Sequence, residues 1–246
     1  MQLTGEMIKK FRKLSAVLMT ADYRSAWLRN RVAATVEHEV PLRGLGLATI
    51  VDIGANKGQF ALFAAHTFKN AAVHSFEPLN RPAERFMRTL GNQARITLYR
   101  SAIGAESGSS QMHVARRDDS SSLLPITTAQ VSNFRGTDEV RTEVVRVSRL
   151  DEFLCEEMVR LPALLKLDVQ GYEMQALLGC EDLLHRFQYV YLEVSFLELY
   201  KGQSLADDLI VWLHSRNFRM KSVHGVQSNS RGEAIQADVL FERCDE

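Results

Sequence analysis

Residues 51–60 read "VDIGANKGQF": an apolar strand end, an aspartate, and two glycines four positions apart, followed by a helix-forming run. A turn this bare lets a ligand approach the main chain with no β-carbon in the way. The spacing is not the GxGxxG of dinucleotide sites, because Asn56 stands where the middle glycine would be and no third glycine closes the helix. A pyrophosphate therefore lacks a cradle. A smaller ligand with an amino-acid tail fits, with Asp52 meeting the ammonium and the amides of Gly54, Ala55, Asn56 and Gly58 meeting the carboxylate. S-adenosylmethionine carries such a tail.

Outward from this turn, strands and helices alternate. "ATIVDI" is a buried strand by its β-branched run, and "GQFALFAAHTF" is a helix. "AAVHSFE" is the next strand, and "NRPAERFMRTLG" a helix with Asn80 as cap, Pro82 in the first turn and Gly91 as stop. "RITLYRSAIG" reads as one third strand. Two alternating segments, "SSQMHVARRD" and "EVRTEVVRVSRL", then flank a serine-rich stretch expected to be a lid loop at 117–138. The alternation resumes with "LDEFL" (helix), "PALLKLDV" (strand), "EMQALLGCEDLLHRF" (helix) and "YVYLEVS" (strand). A helix "SLADDLIVWLHSRN" capped by Ser204 and two strands, "FRMKSV" and "ADVLFER", close the pattern. Such alternation implies an α/β fold, with an open, mainly parallel sheet and helices on both faces. Its ligand lies outside the carboxyl ends of the strands.

The strand ends therefore carry the chemistry. Glu77-Pro78 ends the second strand, with Glu77 nineteen residues beyond Gly58. An acid there accepts both hydroxyls of a ribose, its two oxygens matching a vicinal diol. Ser101, Ala102 and Ile103 end the third strand and suit the flat face of an adenine. In "LLKLDVQGYE", Lys166 and Asp168 interrupt an apolar strand, which is costly unless they act. The following strand delivers Glu193 beside them. Asp168 and Glu193 are the catalytic candidates, as base, metal ligand or orienting group, and Asp168 is also a candidate cofactor contact. Glu193 could instead pair with an arginine or with Lys166.

The 246 residues carry 30 basic and 30 acidic side chains, so the neutral balance argues against a partner held by nucleic-acid phosphates. Three cysteines far apart, with no CxxC, indicate neither a zinc knuckle nor a disulfide framework and fit a reducing cytoplasm. No two histidines have ligand spacing, so a divalent ion has no dedicated motif. Residues 1–45 read as a helical cap or interface segment, with Met7, Phe11, Leu14, Leu18, Trp27 and Val32 apolar among basic residues. Its apolar run is too short for a membrane span, and its amphipathic continuation speaks for a helix over a cleaved signal. This segment could pair two subunits.

With "VDIGANKGQF", "SFEP", "SAIG", "LKLDVQGYE" and "LEVSFLELYKGQ" in this order from about Ile50 to Phe218, the sequence resembles the FkbM family of S-adenosylmethionine-dependent methyltransferases. The resemblance implies a class I methyltransferase (Rossmann-like) fold over 46–246, with seven strands and the last inserted antiparallel. It also implies methylation of hydroxyls, often on sugars or polyketide-like products. Gln170 departs from the pattern, since many members carry glutamate there. A base at Asp168 would contribute about 10²–10⁴-fold, and alignment of oxygen, methyl and sulfur roughly 7–11 kcal/mol. His113 and Ser120–Ser122 could enter from the lid. Two rivals share the sheet: a nicotinamide-dependent oxidoreductase, opposed by the missing glycine and the lack of a Tyr-xxx-Lys pair, and a non-catalytic scaffold, opposed by the intact Asp52, Gly54, Gly58 and Glu77.

Overall fold

The computed structural model describes Ser15 and residues 17–244. Met7, Phe11 and Leu14 lie outside the described residues. A sheet of seven strands forms the centre: β1 (Thr49–Ile53), β2 (Ala72–Phe76), β3 (Ile96–Tyr99), β7 (Ala163–Leu167), β8 (Tyr189–Ser195), β9 (Phe218–Ser228) and β10 (Ala234–Arg243). Their spatial order is β3-β2-β1-β7-β8-β10-β9. The pairs from β3 to β8 are parallel, and β10 runs antiparallel to both its neighbours. This is the inserted antiparallel strand of the class I methyltransferase fold.

β1 and β7 are buried along their whole length, as expected of central parallel strands covered on both faces. The strand period of two divides their side chains between two cores. On one face Val51, Ile53, Leu165 and Leu167 pack with Ala176 and Leu177 of α6 (Glu173–Gly179) and Leu209 and Leu213 of α7 (Ala206–His214). On the other, Ile50 and Leu164 meet Phe60 and Phe63 of α3 (Gln59–Thr67) and Phe86 and Leu90 of α4 (Asn80–Leu90). Tyr23 and Ala26 of α1 (Ala21–Asn30) and Leu42 of α2 (Glu39–Leu42) join this second core, so the N-terminal segment is packed onto the domain. Between α1 and α2 the chain is irregular except for one 3₁₀ turn, Val36–His38. Val32 is buried there, whereas Leu18 and Trp27 are exposed.

A second sheet of three strands, ordered β4-β6-β5, stands beside the first: β4 (Ala102–Ile103), β5 (Gly108–Ala115) and β6 (Glu139–Ser148). Here the expected single third strand is corrected. "RITLYRSAIG" is two strands in two sheets, because the chain leaves β2 after Tyr99 and β4 pairs with β6. The 117–138 segment is not one loop either; it holds a 3₁₀ turn at Asp118–Ser120 and α5 (Thr128–Asn133), capped by the Thr127 side chain. "LDEFL" forms only a 3₁₀ turn, Leu150–Glu152. Asn80 is already helical, with Leu79 at the cap, and α7 is capped at Leu205, whose N–H is taken by Asp208, rather than at Ser204.

Candidate active site

A cleft opens at the carboxyl ends of β1, β2 and β7, enclosing about 840 Å³ when the open space at its mouth is counted. Ile53, Gly54, Ala55 and Asn56 line it from β1, Glu77, Pro78 and Leu79 from β2, and Asp168, Val169 and Gln170 from β7. Gly54 has φ +83°, and a β-carbon there would sit 1.9 Å from the Asp168 carbonyl oxygen. Only glycine lets the two strand ends meet so closely. Gly58, φ +86°, faces Phe86 and Leu90 instead and seats α3 against α4.

Glu77 is buried, yet it lines the cleft. Its Oε2 accepts the N–H of Asn56 at 2.9 Å and its Oε1 that of Leu79 at 2.8 Å, so one carboxylate fixes the loops after both β1 and β2. Burial pushes its pKa up to about 7, against the pull of those two N–H groups. Phe76, Ala102 and Ile103 form an apolar wall next to it. Ser101 is turned away, its Oγ donating to main-chain carbonyls including that of Arg146.

Asp52 and Lys166 are register partners on adjacent strands, and alternation puts both on the Ile50 face. The Lys166 Nζ lies 3.0 Å from Asp52 Oδ1 and 3.7 Å from Asp168 Oδ2, with the Phe60 ring 5.3 Å away. Burial opposes the ammonium, but Asp52 and Asp168 hold its pKa above the ordinary lysine range. Asp52 is fully buried, and that burial raises its pKa while Lys166 pulls it back. Asp52 does not line the cleft, so a ligand ammonium has no direct path to it in this geometry. Of Asp52, Lys166 and Asp168, the accessible group is the Asp168 carboxylate, 44% exposed at the side chain.

Glu193 does not line the cleft. Its Oε2 accepts from the side-chain amides of Gln170, at 3.1 Å, and Gln236, at 2.8 Å. Burial, with Asp168, Asp238 and Glu173 nearby, holds its pKa well above the carboxylate range. The Lys166 pairing considered for Glu193 goes to Asp52 and Asp168. Glu173 opens α6 and, like Glu77, clamps a strand-end loop: its Oε1 accepts the N–H groups of Val169 and Gly171, and burial raises its pKa to about 7. Among the described residues, no group of three or more His, Cys, Asp or Glu is placed to hold a metal ion.

The 117–124 segment closes one side. Lys57 Nζ lies 2.5 Å from Asp118 Oδ1, tying the glycine turn to it. Ser122 pairs with His113 in a β-bridge and donates its hydroxyl to the Gln170 carbonyl at 2.7 Å. Asp118, Asp119, Ser121 and Leu123 line the cleft. His113 is held by Glu139, Nδ1 to Oε2 2.8 Å, and Ser120 and Ser122 are buried.

The sequence reading missed Thr35, His38, Gln59, Met112 and Tyr172, all of which line the cleft. Thr35 and His38 come from the N-terminal segment, His38 with Nδ1 3.0 Å from the buried Tyr191 hydroxyl. No motif marks them. Tyr172 and Gln59 could have been found, since they lie within the motifs "LDVQGYE" and "GANKGQF".

The chain is 29% identical over 160 residues to the 2-O-methyltransferase NoeI of Sinorhizobium fredii, covering 63% of this chain and 66% of that protein. It is 26% identical over 148 residues to methyltransferase 1 of Beauveria bassiana, covering 54% and 58% respectively. The match thus spans about two thirds or less of these relatives. Among solved structures, a protein of the NADB-Rossmann superfamily from Streptococcus agalactiae superposes with a TM-score of 0.50 at 11% identity, over 87% of this chain and 69% of that one. It shares the fold. The model of the methyltransferase FkbM domain matches residues 52–220, which takes in the glycine turn, Glu77, Asp168 and Glu193, and the chain belongs to that family.

Proposed function

We propose that the protein transfers the methyl group of S-adenosylmethionine to a hydroxyl of a small molecule or sugar. The observation that carries this reading is that Glu77, the Gly54–Asn56 turn and the exposed Asp168 all face one cleft. The residues present fit the cofactor. Each Glu77 oxygen accepts one main-chain N–H and has a second lone pair to offer a ribose hydroxyl, the Phe76, Ala102 and Ile103 wall suits the adenine, and the turn offers main-chain amides for the tail. When bound, the sulfonium supplies an electrophilic methyl carbon. Asp52 then acts at second hand, by holding Lys166 and through it Asp168. Asp168 is placed to take the proton of an acceptor hydroxyl, and its neighbours Lys166 and Gln170 keep its carboxylate fixed. The name of the NoeI relative, a 2-O-methyltransferase, supports oxygen as the atom methylated. Thr35 and His38 from the N-terminal segment, with Asp118, Asp119, Ser121 and Leu123 from 117–138, supply cleft walls outside the motifs, and these choose the acceptor.

The test is calorimetry with S-adenosylhomocysteine, followed by transfer of labelled methyl from S-adenosylmethionine to a panel of mono- and oligosaccharides. Wild type binds the nucleoside, Glu77→Ala loses it, and Asp168→Asn binds it but turns over at least a hundredfold more slowly. Equal binding by wild type and Glu77→Ala would end the reading.

A further inference from the structure

Gln170 is the most heavily committed polar side chain in the cleft. Its Nε2 donates to Asp168 Oδ1 at 2.8 Å and to Glu193 Oε2 at 3.1 Å. Its Oε1 accepts the Tyr200 hydroxyl at 2.7 Å, and the Tyr200 oxygen also lies 3.1 Å from the Ser120 carbonyl and receives the Gln130 amide at 3.0 Å. Its own carbonyl accepts Ser122 Oγ. The backbone reaches this position only in the left-handed region, φ 56°, which disfavours any residue with a β-carbon. Such strain persists where the surroundings over-determine it. Gly171, φ +92°, follows at once and abuts the Tyr200 ring, so no residue larger than glycine fits next to it.

Two carboxylates that face each other need either shared protons or something positive between them. Here Lys166 stands 3.7 Å from one oxygen of Asp168, and the space between Asp168 and Glu193 themselves is filled by an uncharged amide with both hydrogens in use. A hard divalent cation gathers carboxylate oxygens around the same kind of point. We propose that Gln170 is a positioning residue with two separable roles. Its amide nitrogen takes the place of a divalent cation between Asp168 and Glu193. Its amide oxygen makes that alignment depend, through Tyr200, on the seated 117–124 segment. The inference rests on the methyl-transfer reading, in which Asp168 faces the acceptor.

The two roles come apart by substitution. Gln170→Glu keeps an acceptor for Tyr200 but puts a third carboxylate beside Asp168 and Glu193. Gln170→Met fills similar volume and loses both functions. Mn²⁺ is added alone to each apo-protein, and bound metal is read by electron paramagnetic resonance. Gln170→Glu should bind one Mn²⁺ per chain, wild type and Gln170→Met none at this place, and the double variant Gln170→Glu/Asp168→Asn should lose it. If Gln170→Glu folds only with Mn²⁺, seen as a metal-dependent melting transition, the first role is supported equally. Hydrogen exchange at residues 120–124 should speed at least tenfold in Gln170→Met and stay within threefold of wild type in Gln170→Glu. A purely structural role would not create a metal site.

Mn²⁺ held by wild type and released by Asp168→Asn would overturn the first role, as would a Gln170→Glu protein that binds none. Unchanged exchange in Gln170→Met would overturn the second. Both readouts are free of cofactor. A wild type that fails to bind S-adenosylhomocysteine would therefore sink the methyl-transfer reading and leave these results standing by themselves.

Discussion

Cofactor binding should depend on pH through one carboxyl group. Glu77 is buried and titrates near 7 in the free protein, whereas ribose hydroxyls donate and so select its ionised form. At pH 6 roughly one molecule in eleven carries the charge, so the dissociation constant for S-adenosylhomocysteine should be about tenfold weaker than at pH 8. That difference is about 1.4 kcal/mol. Binding at pH 6 should also release close to one proton, visible as a calorimetric enthalpy that changes with the ionisation heat of the buffer. Glu77→Gln removes a charged acceptor, which costs about 1.5–3 kcal/mol of affinity, and should leave the remaining affinity flat from pH 5.5 to 8. A wild-type constant that does not move across this window, or a Glu77→Gln protein with the same slope, refutes the argument.

Lys166→Met leaves Asp52 buried without its cation and should lower stability by about 3–5 kcal/mol in urea unfolding. Adding Asp52→Asn should restore much of the loss; if the double variant is as unstable as the single, the pair does not act as a unit. Gly54→Ala drives a methyl group into the Asp168 carbonyl and should lower the thermal midpoint and abolish nucleoside binding together. A well-folded, binding-competent Gly54→Ala protein would contradict the packing of the strand ends. Glu173, raised to about 7, is an acid whose folded pKa exceeds its unfolded one. Its contribution, up to about 3 kcal/mol, is therefore present at low pH and lost as pH rises through 7. The urea midpoint should fall between pH 5 and pH 8, and Glu173→Gln should flatten part of that fall. A variant with the full wild-type slope would assign it elsewhere.

The strand-end residues were legible because their chemistry conflicts with their surroundings. Glycines at Gly54 and Gly58 interrupt good strand and helix formers, and Asp168 interrupts the apolar β7. Which way each acid points was not legible. Asp52 and Glu77 both end apolar strands, but Asp52 sits within β1, opposite Lys166 in register, whereas Glu77 lies one residue beyond β2. In register Asp52 stands beside Ser75, so Glu77 lies two positions further out along its strand, and that step decides between an inner ion pair and a cleft wall. The break in the third strand is marked only by Arg100-Ser101 between apolar runs, a signal any edge strand carries. Thr35 and His38 were invisible because irregular backbone far from the motifs brings them in. The caps failed for a local reason. Each helix starts one residue away from the expected place, so Asn80 falls inside α4 and Ser204 before the cap of α7, while Glu77 and Asp208 take the N–H groups of the cap residues Leu79 and Leu205.

The place of β10 between β8 and β9 has a consequence for biosynthesis. Among the described residues β9 borders no strand but β10, so during vectorial synthesis it waits without that hydrogen-bonding neighbour until Ala234–Arg243 have left the ribosome. Until then β8 presents the raw rim Tyr189–Ser195, four positions of which, Val190, Tyr191, Leu192 and Val194, belong to the two cores. Removing the final strand would thus open the sheet in its interior rather than trim its border, and such a chain should clump before it misbehaves catalytically.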